Sequence, residues 1–94
     1  MSADDAHALD QLERLGTELE QRSFAVRLHL NEGRPTSLTV VNKVAPVLTE
    51  CVLTAPNTDG KLWFWFPWPS PITPITDIET AADRIERVLA EVGR

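Results

Sequence analysis

The chain has 94 residues, of which 43% are hydrophobic and 24% charged, and its formal net charge is −5. That composition is ordinary for a globular protein and suits one domain, residues 1–94, built on one core. A single cysteine excludes an internal disulfide, and the acidic balance argues against nucleic acid as a main partner, since phosphate contacts need a basic footprint.

The charge is unevenly spread. Residues 1–21 hold six acids and one arginine, residues 22–61 five bases and three acids, and residues 62–94 three bases and five acids. The opening MSADDAHALD lacks the basic start and apolar run of a secretory leader, so a cytoplasmic location is expected. The longest uncharged stretch, Leu62 to Thr76, carries four prolines and is too short to span a bilayer, so no membrane partner is expected.

In chain order, Leu9, Leu12, Leu15 and Leu19 make a narrow helical stripe among charged neighbours, with Asp4 or Asp5 placed to cap its start. Gly16 within it either allows close packing or weakens the helix. Periodicity then changes to two. Phe24, Val26, Leu28 and Leu30 share one side of a first strand, with Ala25, Arg27 and His29 on the other. NEGRP reads as a turn, with Gly33 free to take positive φ. TSLTVVNKV gives a second strand, LTECVLTA a third beyond Pro46, and PNTDGK a turn into a fourth, LWFWF. The prolines of PWPSPITP predict an unpaired, polyproline-like run. Thr76-x-x-Glu79 forms a capping box ahead of a final helix, whose stripe is Ile78, Ala81, Ala82, Ile85, Val88, Leu89 and Val92. Asp83 and Arg87 are spaced as an i,i+4 pair, and Gly93 stands where a C-terminal cap belongs. The order α-β-β-β-β-α predicts an α+β fold: an antiparallel four-stranded, or three-stranded, sheet with both helices on one face.

Little in the chain suggests catalysis. Cys51, His29 and His7 are spaced 22 residues apart, which matches no short paired metal-ligand spacing. Cys51 beside His29 would make a nucleophilic pair only if strand pairing joined them; a mid-strand cysteine is more often a small hydrophobe. The carboxylates belong to caps, turns and wet helix faces, and no phosphate loop or nucleophile elbow is present. No enzyme activity, cofactor or metal is expected.

The unusual feature is LWFWFPWPSPITP, which holds all three tryptophans and two of the three phenylalanines. In a strand, Leu62, Phe64 and Phe66 point one way, and Trp63 and Trp65 the other. If the phenylalanines align with Phe24, Val26 and Leu28, the two tryptophans share the open sheet face with Arg27, His29, Thr39 and Val41. The opposite phase, or Trp68 and the prolines folded back over that face, would make the run ordinary core. Exposed, it would be an apolar patch suited to a protein partner or a homodimer seam. The candidate partner-binding residues are Trp63, Trp65, Trp68, Arg27 and His29. The alternative is single-stranded nucleic acid stacked on the aromatics, with a small-molecule carrier or enzyme behind it.

RSFAVRL, RPTSLTVVN and LWFWFPWPSPITPITDIETAADRIERVL together resemble a set of small uncharacterised actinobacterial proteins of similar length. Their pattern has a leucine helix, an RGF strand start, and a WFWWPW strand leading to an amphipathic C-terminal helix. This chain departs from it at Ser23, where the pattern has glycine, and in PSP after Trp68. The resemblance implies a small accessory or regulatory role, and it carries no catalytic residue across.

Overall fold

The computed structural model describes residues 3–30 and 36–91. Its elements are α1 (Ala3–Gln21), β1 (Phe24–His29), β2 (Ser37–Asn42), β3 (Thr49–Pro56), β4 (Leu62–Phe66), β5 (Ser70–Pro74) and α2 (Ile78–Glu91). The strands form one antiparallel sheet in the order β1-β2-β3-β4-β5, a meander that short connections make the natural topology. The expected turn at NEGRP, Gly33 and Pro35 included, lies outside the described residues, as do the cap at Gly93 and Val92.

The sheet has five strands rather than four. Ser70–Pro74, expected to run unpaired, pairs with β4 through Trp65 opposite Pro71 and Trp63 opposite Pro74, with an irregularity between them. The prolines are tolerated because β5 is an edge strand, where a missing N–H need not break a ladder. The bulge carries the extra residue and leaves both Ile72 and Thr73 buried.

The core is the sandwich between one sheet face and the two helices. Leu12, Leu15 and Leu19 of α1 and Ala81, Ala82, Ile85 and Leu89 of α2 close over Phe24, Leu38, Val40, Val52, Phe64, Phe66 and Ile72. The register explains why. Val26 stands opposite Val40, Leu38 opposite Val52, and Thr54 opposite Phe64, so each strand's apolar phase falls on the same side. Gly16 faces that layer closely: a Cβ there would meet Val26 Cγ2 at 3.4 Å and Leu38 Cδ1 at 3.5 Å. Those are ordinary contact distances, so a methyl group would fit and the approach of α1 to β1 and β2 does not depend on the glycine.

Two expectations for α2 change. The N-cap of α2 is Asp77, not Thr76: its carboxylate accepts the Thr80 N–H at 3.2 Å and its carbonyl the Ala81 N–H at 3.1 Å. Asp83 pairs with Arg22 across the helices rather than with Arg87. Arg22 donates to Glu18 at 2.9 Å, Asp83 at 2.5 Å and Glu86 at 3.1 Å, so one guanidinium ties the end of α1 to α2. Those carboxylates, Asp83 foremost, hold Arg22 still more firmly protonated than usual. Arg84 donates from Nη1 to the carbonyl of Ile72 and links α2 to β5. Gln11, nearly buried, does the same for α1 by donating to the carbonyl of Ile75.

Between α1 and β1 the chain reverses through Arg22 and Ser23, with Ser23 at φ 73°. A non-glycine residue in this left-handed region costs about 1 kcal/mol or more. It stands where helix C-termini prefer glycine. Ser23→Gly is expected to stabilise the fold by about 0.5–1 kcal/mol after the added freedom of the unfolded chain is counted. A thermal melt should show Tm raised by about 3–5 °C.

Candidate tryptophan-bearing sheet face

Both helices pack on one side of the sheet, and the residues that point the other way are left without a helix. Neighbouring side chains on that face follow from the register. Arg27, Thr39 and Cys51 form one row across β1 to β3. His29, Ser37, Leu53, Trp65 and Pro71 form a row that spans all five strands. Ala55, Trp63 and Pro74 form a third. Phe64 is fully buried and Phe66 is 5% exposed on the helix side, so of the two phases open to LWFWF the structure adopts the one that turns Trp63 and Trp65 away from the helices.

Trp63 and Trp65 are half-buried against their sheet neighbours. The indole N–H of Trp65 donates to the carbonyl of Ala55 at 3.1 Å, which lays the ring over β3 and fixes its direction. Its polar atom is thus satisfied within the sheet, and the ring offers an apolar surface outward. Arg27 and His29 share the face but not the neighbourhood. They lie on β1, three strands from β4, or about 14 Å at normal strand spacing. That is beyond cation–π reach. Instead they border a shallow hollow of about 370 Å³ that also involves Ala25, Thr39 and Val41.

Trp68 is not part of this surface. Its ring stacks on Phe66 with centroids 4.6 Å apart and planes within 6°, and its N–H donates to Glu50 at 3.2 Å. Phe66 points to the helix side, so Trp68, 51% exposed, covers the end of the core instead of folding over the open face. The five candidate residues therefore separate into a tryptophan pair, an Arg27–His29 border and one outlier.

The face is nearly uncharged. Among its described strand residues, Arg27 is the one permanent charge and there is no carboxylate, although the whole chain carries fourteen acids. Chemically reactive groups are present but not assembled. His29 Nε2 lies 2.9 Å from Thr39 Oγ1, which lies 3.7 Å from Cys51 Sγ. Thr39 stands between the imidazole and the thiol, so the pair considered from the sequence does not make the direct contact a base-activated nucleophile needs. His7 is exposed on α1, in the helix layer. Among the described residues no group of three or more His, Cys, Asp or Glu is placed to hold a metal ion, and no helix is long and apolar enough to cross a membrane.

One apolar feature escapes sequence reading. Val44 and Val47 are 94% and 90% exposed in the β2–β3 connection. That turn is ordered by Asn42, whose Oδ1 accepts the N–H groups of Val44 at 2.9 Å and Ala45 at 3.2 Å, while its Nδ2 donates to the carbonyl of Leu89. Alternation cannot reveal such a loop, because its residues belong to no period. No family model matches the chain, and neither a curated protein nor a solved structure matches it.

Proposed function

We propose that this chain is a non-enzymatic protein-interaction module, with an accessory or regulatory role, and that it pairs with a second copy of itself through the helix-free sheet face. The observation that carries the reading is the coincidence of three properties on one surface: no covering helix, two half-buried indoles, and almost no charge. An uncharged apolar centre anchored by tryptophan is the usual make-up of an interface core. Two such faces can stack as sheets do, with side chains from both interdigitating.

The size of the face sets the expected strength. Five strands by about five residues cover roughly 20 Å by 17 Å. Two copies would bury on the order of 1,000 Å² in total once side-chain relief is counted, the low end for specific association. Micromolar or weaker self-affinity follows, on the order of 10–100 μM. A nucleic-acid role has less support, since one cation on the face gives no phosphate track.

Tryptophan quenching tests the reading. In a Trp68→Phe chain only Trp63 and Trp65 report, and acrylamide should quench them less as protein concentration rises through the expected range. Quenching that stays constant over that range would count against the proposal. Fluorescence loss on adding a single-stranded deoxythymidine oligomer, reversed by salt, would favour the nucleic-acid reading instead.

A further inference from the structure

The two edges of the sheet are not alike. β5 closes one edge with Pro71 and Pro74, which cannot donate hydrogen bonds to a further strand. β1 forms the other edge: its described residues contain no proline, β2 is its one strand neighbour, and no described hydrogen bond reaches its outward side. A groove of about 210 Å³ lies between α1 and the helix-side face of β1 and β2, with Val26 and Leu28 of β1 and Leu38 of β2 below and Glu13, Thr17 and Glu20 of α1 above. Leu30, 66% exposed, continues the apolar row of Val26 and Leu28.

We propose that the β1 edge accepts an extended segment of a partner protein by strand addition, and that the segment's residues on the α1 side alternate between basic and apolar. The backbone of β1 would supply main-chain hydrogen bonds, and the groove would choose the side chains. An apolar residue suits Val26 and Leu28, while lysine or arginine suits the two carboxylates above them. Glu13 and Glu20 are seven residues apart on α1, about 10.5 Å along the axis. Residues i and i+4 of an added strand stand about 13 Å apart on one side, within reach of long basic side chains.

Charge decides against a second copy at this edge. Among two-fold antiparallel pairings that keep each side chain on its own face, the two with the longest overlap place Val26 opposite Val26 or Arg27 opposite Arg27. Either register brings two α1 helices side by side, with Glu13 and Glu20 of both copies facing one seam. Like charges at such spacing are unfavourable. A basic partner turns the same carboxylates into attraction.

The probe is the capped peptide Thr-Lys-Thr-Val-Thr-Lys-Thr, followed by its effect on backbone amide NMR shifts, beside a version with glutamate for lysine. The native chain is expected to bind the lysine peptide about tenfold more tightly or better, with shifts concentrated in Phe24–His29. Glu13 and Glu20 are exposed, so Glu13→Lys with Glu20→Lys should remain folded and invert the preference. Methylating the peptide nitrogens that face β1 should abolish binding, while Trp63→Ser with Trp65→Ser should leave it unchanged. Equal affinity for both peptides, an unaltered preference in the reversed variant, or shifts confined to β4 and β5 would each overturn the proposal. So would a dimer that the tryptophan substitutions fail to split and the lysine peptide fails to enter.

Discussion

Phe64→Ser is expected to unfold the protein at ambient temperature or bring it to the edge of unfolding. Phe64 is the largest of the fully buried side chains, and it stands opposite Thr54 in the middle of the helix-covered face. Serine removes the ring, leaves a cavity and buries a hydroxyl, a combined loss of about 3–5 kcal/mol. A domain of this size has only about 5–10 kcal/mol of stability in all. Ile85→Asp should be as damaging, because Ile85 is fully buried on α2 and an unpaired carboxylate there has no partner. Arg87→Gln is the matched control, being exposed on the same helix, and should shift stability by less than about 0.5 kcal/mol. Arg84 would be a poor control, since it holds the carbonyl of Ile72. Circular dichroism melts of the set check these expectations. Similar melts for Ile85→Asp and Arg87→Gln would contradict the phase assigned to α2.

Much of this was legible in the residues, and the reason differs from element to element. The strands β1, β2, β3 and β4 follow alternation that the register then places on one face. That Trp63 and Trp65 share one side of β4 and Phe64 and Phe66 the other was readable from alternation, but which side meets the helices was not, because parity within a strand does not set its register against the next. β5 was not readable, since proline content says where a ladder cannot continue but not that the strand lies at an edge. The cap of α2 was off by one residue because Thr76 and Asp77 are both good caps, and only the backbone decides between them.

Long-range pairings stayed hidden for a simpler reason. Arg22 reaches Asp83 and Glu86 over more than sixty residues of sequence, and no local spacing reports that. The candidate site suffered in the same way. Arg27 and His29 share a face with the tryptophans, but strand order sets them across the sheet, and alternation alone gives the face without the distance. Trp68 left the face because Pro67 and Pro69 flank it in the turn after β4, from which its ring reaches back onto Phe66.

The second large effect concerns association. Trp63 and Trp65 point away from the core, so Trp63→Ser with Trp65→Ser removes little that helices and sheet share. The loss within one chain is the packing of two rings on β3 and one hydrogen bond to Ala55, about 1–2 kcal/mol. The loss between chains is larger. Two desolvated tryptophan anchors per copy typically contribute about 2 kcal/mol or more each, enough to weaken a micromolar dimer beyond any practical concentration.

Multi-angle light scattering on the native chain and the double-serine variant measures directly whether that face meets a second copy. The native chain should rise from monomer towards dimer mass as concentration passes through roughly 10–100 μM. The variant, folded by circular dichroism, should remain at monomer mass throughout. A native chain that stays monomeric, or a folded variant that dimerises as well as the native chain, would contradict the assignment of the tryptophan face as the interface.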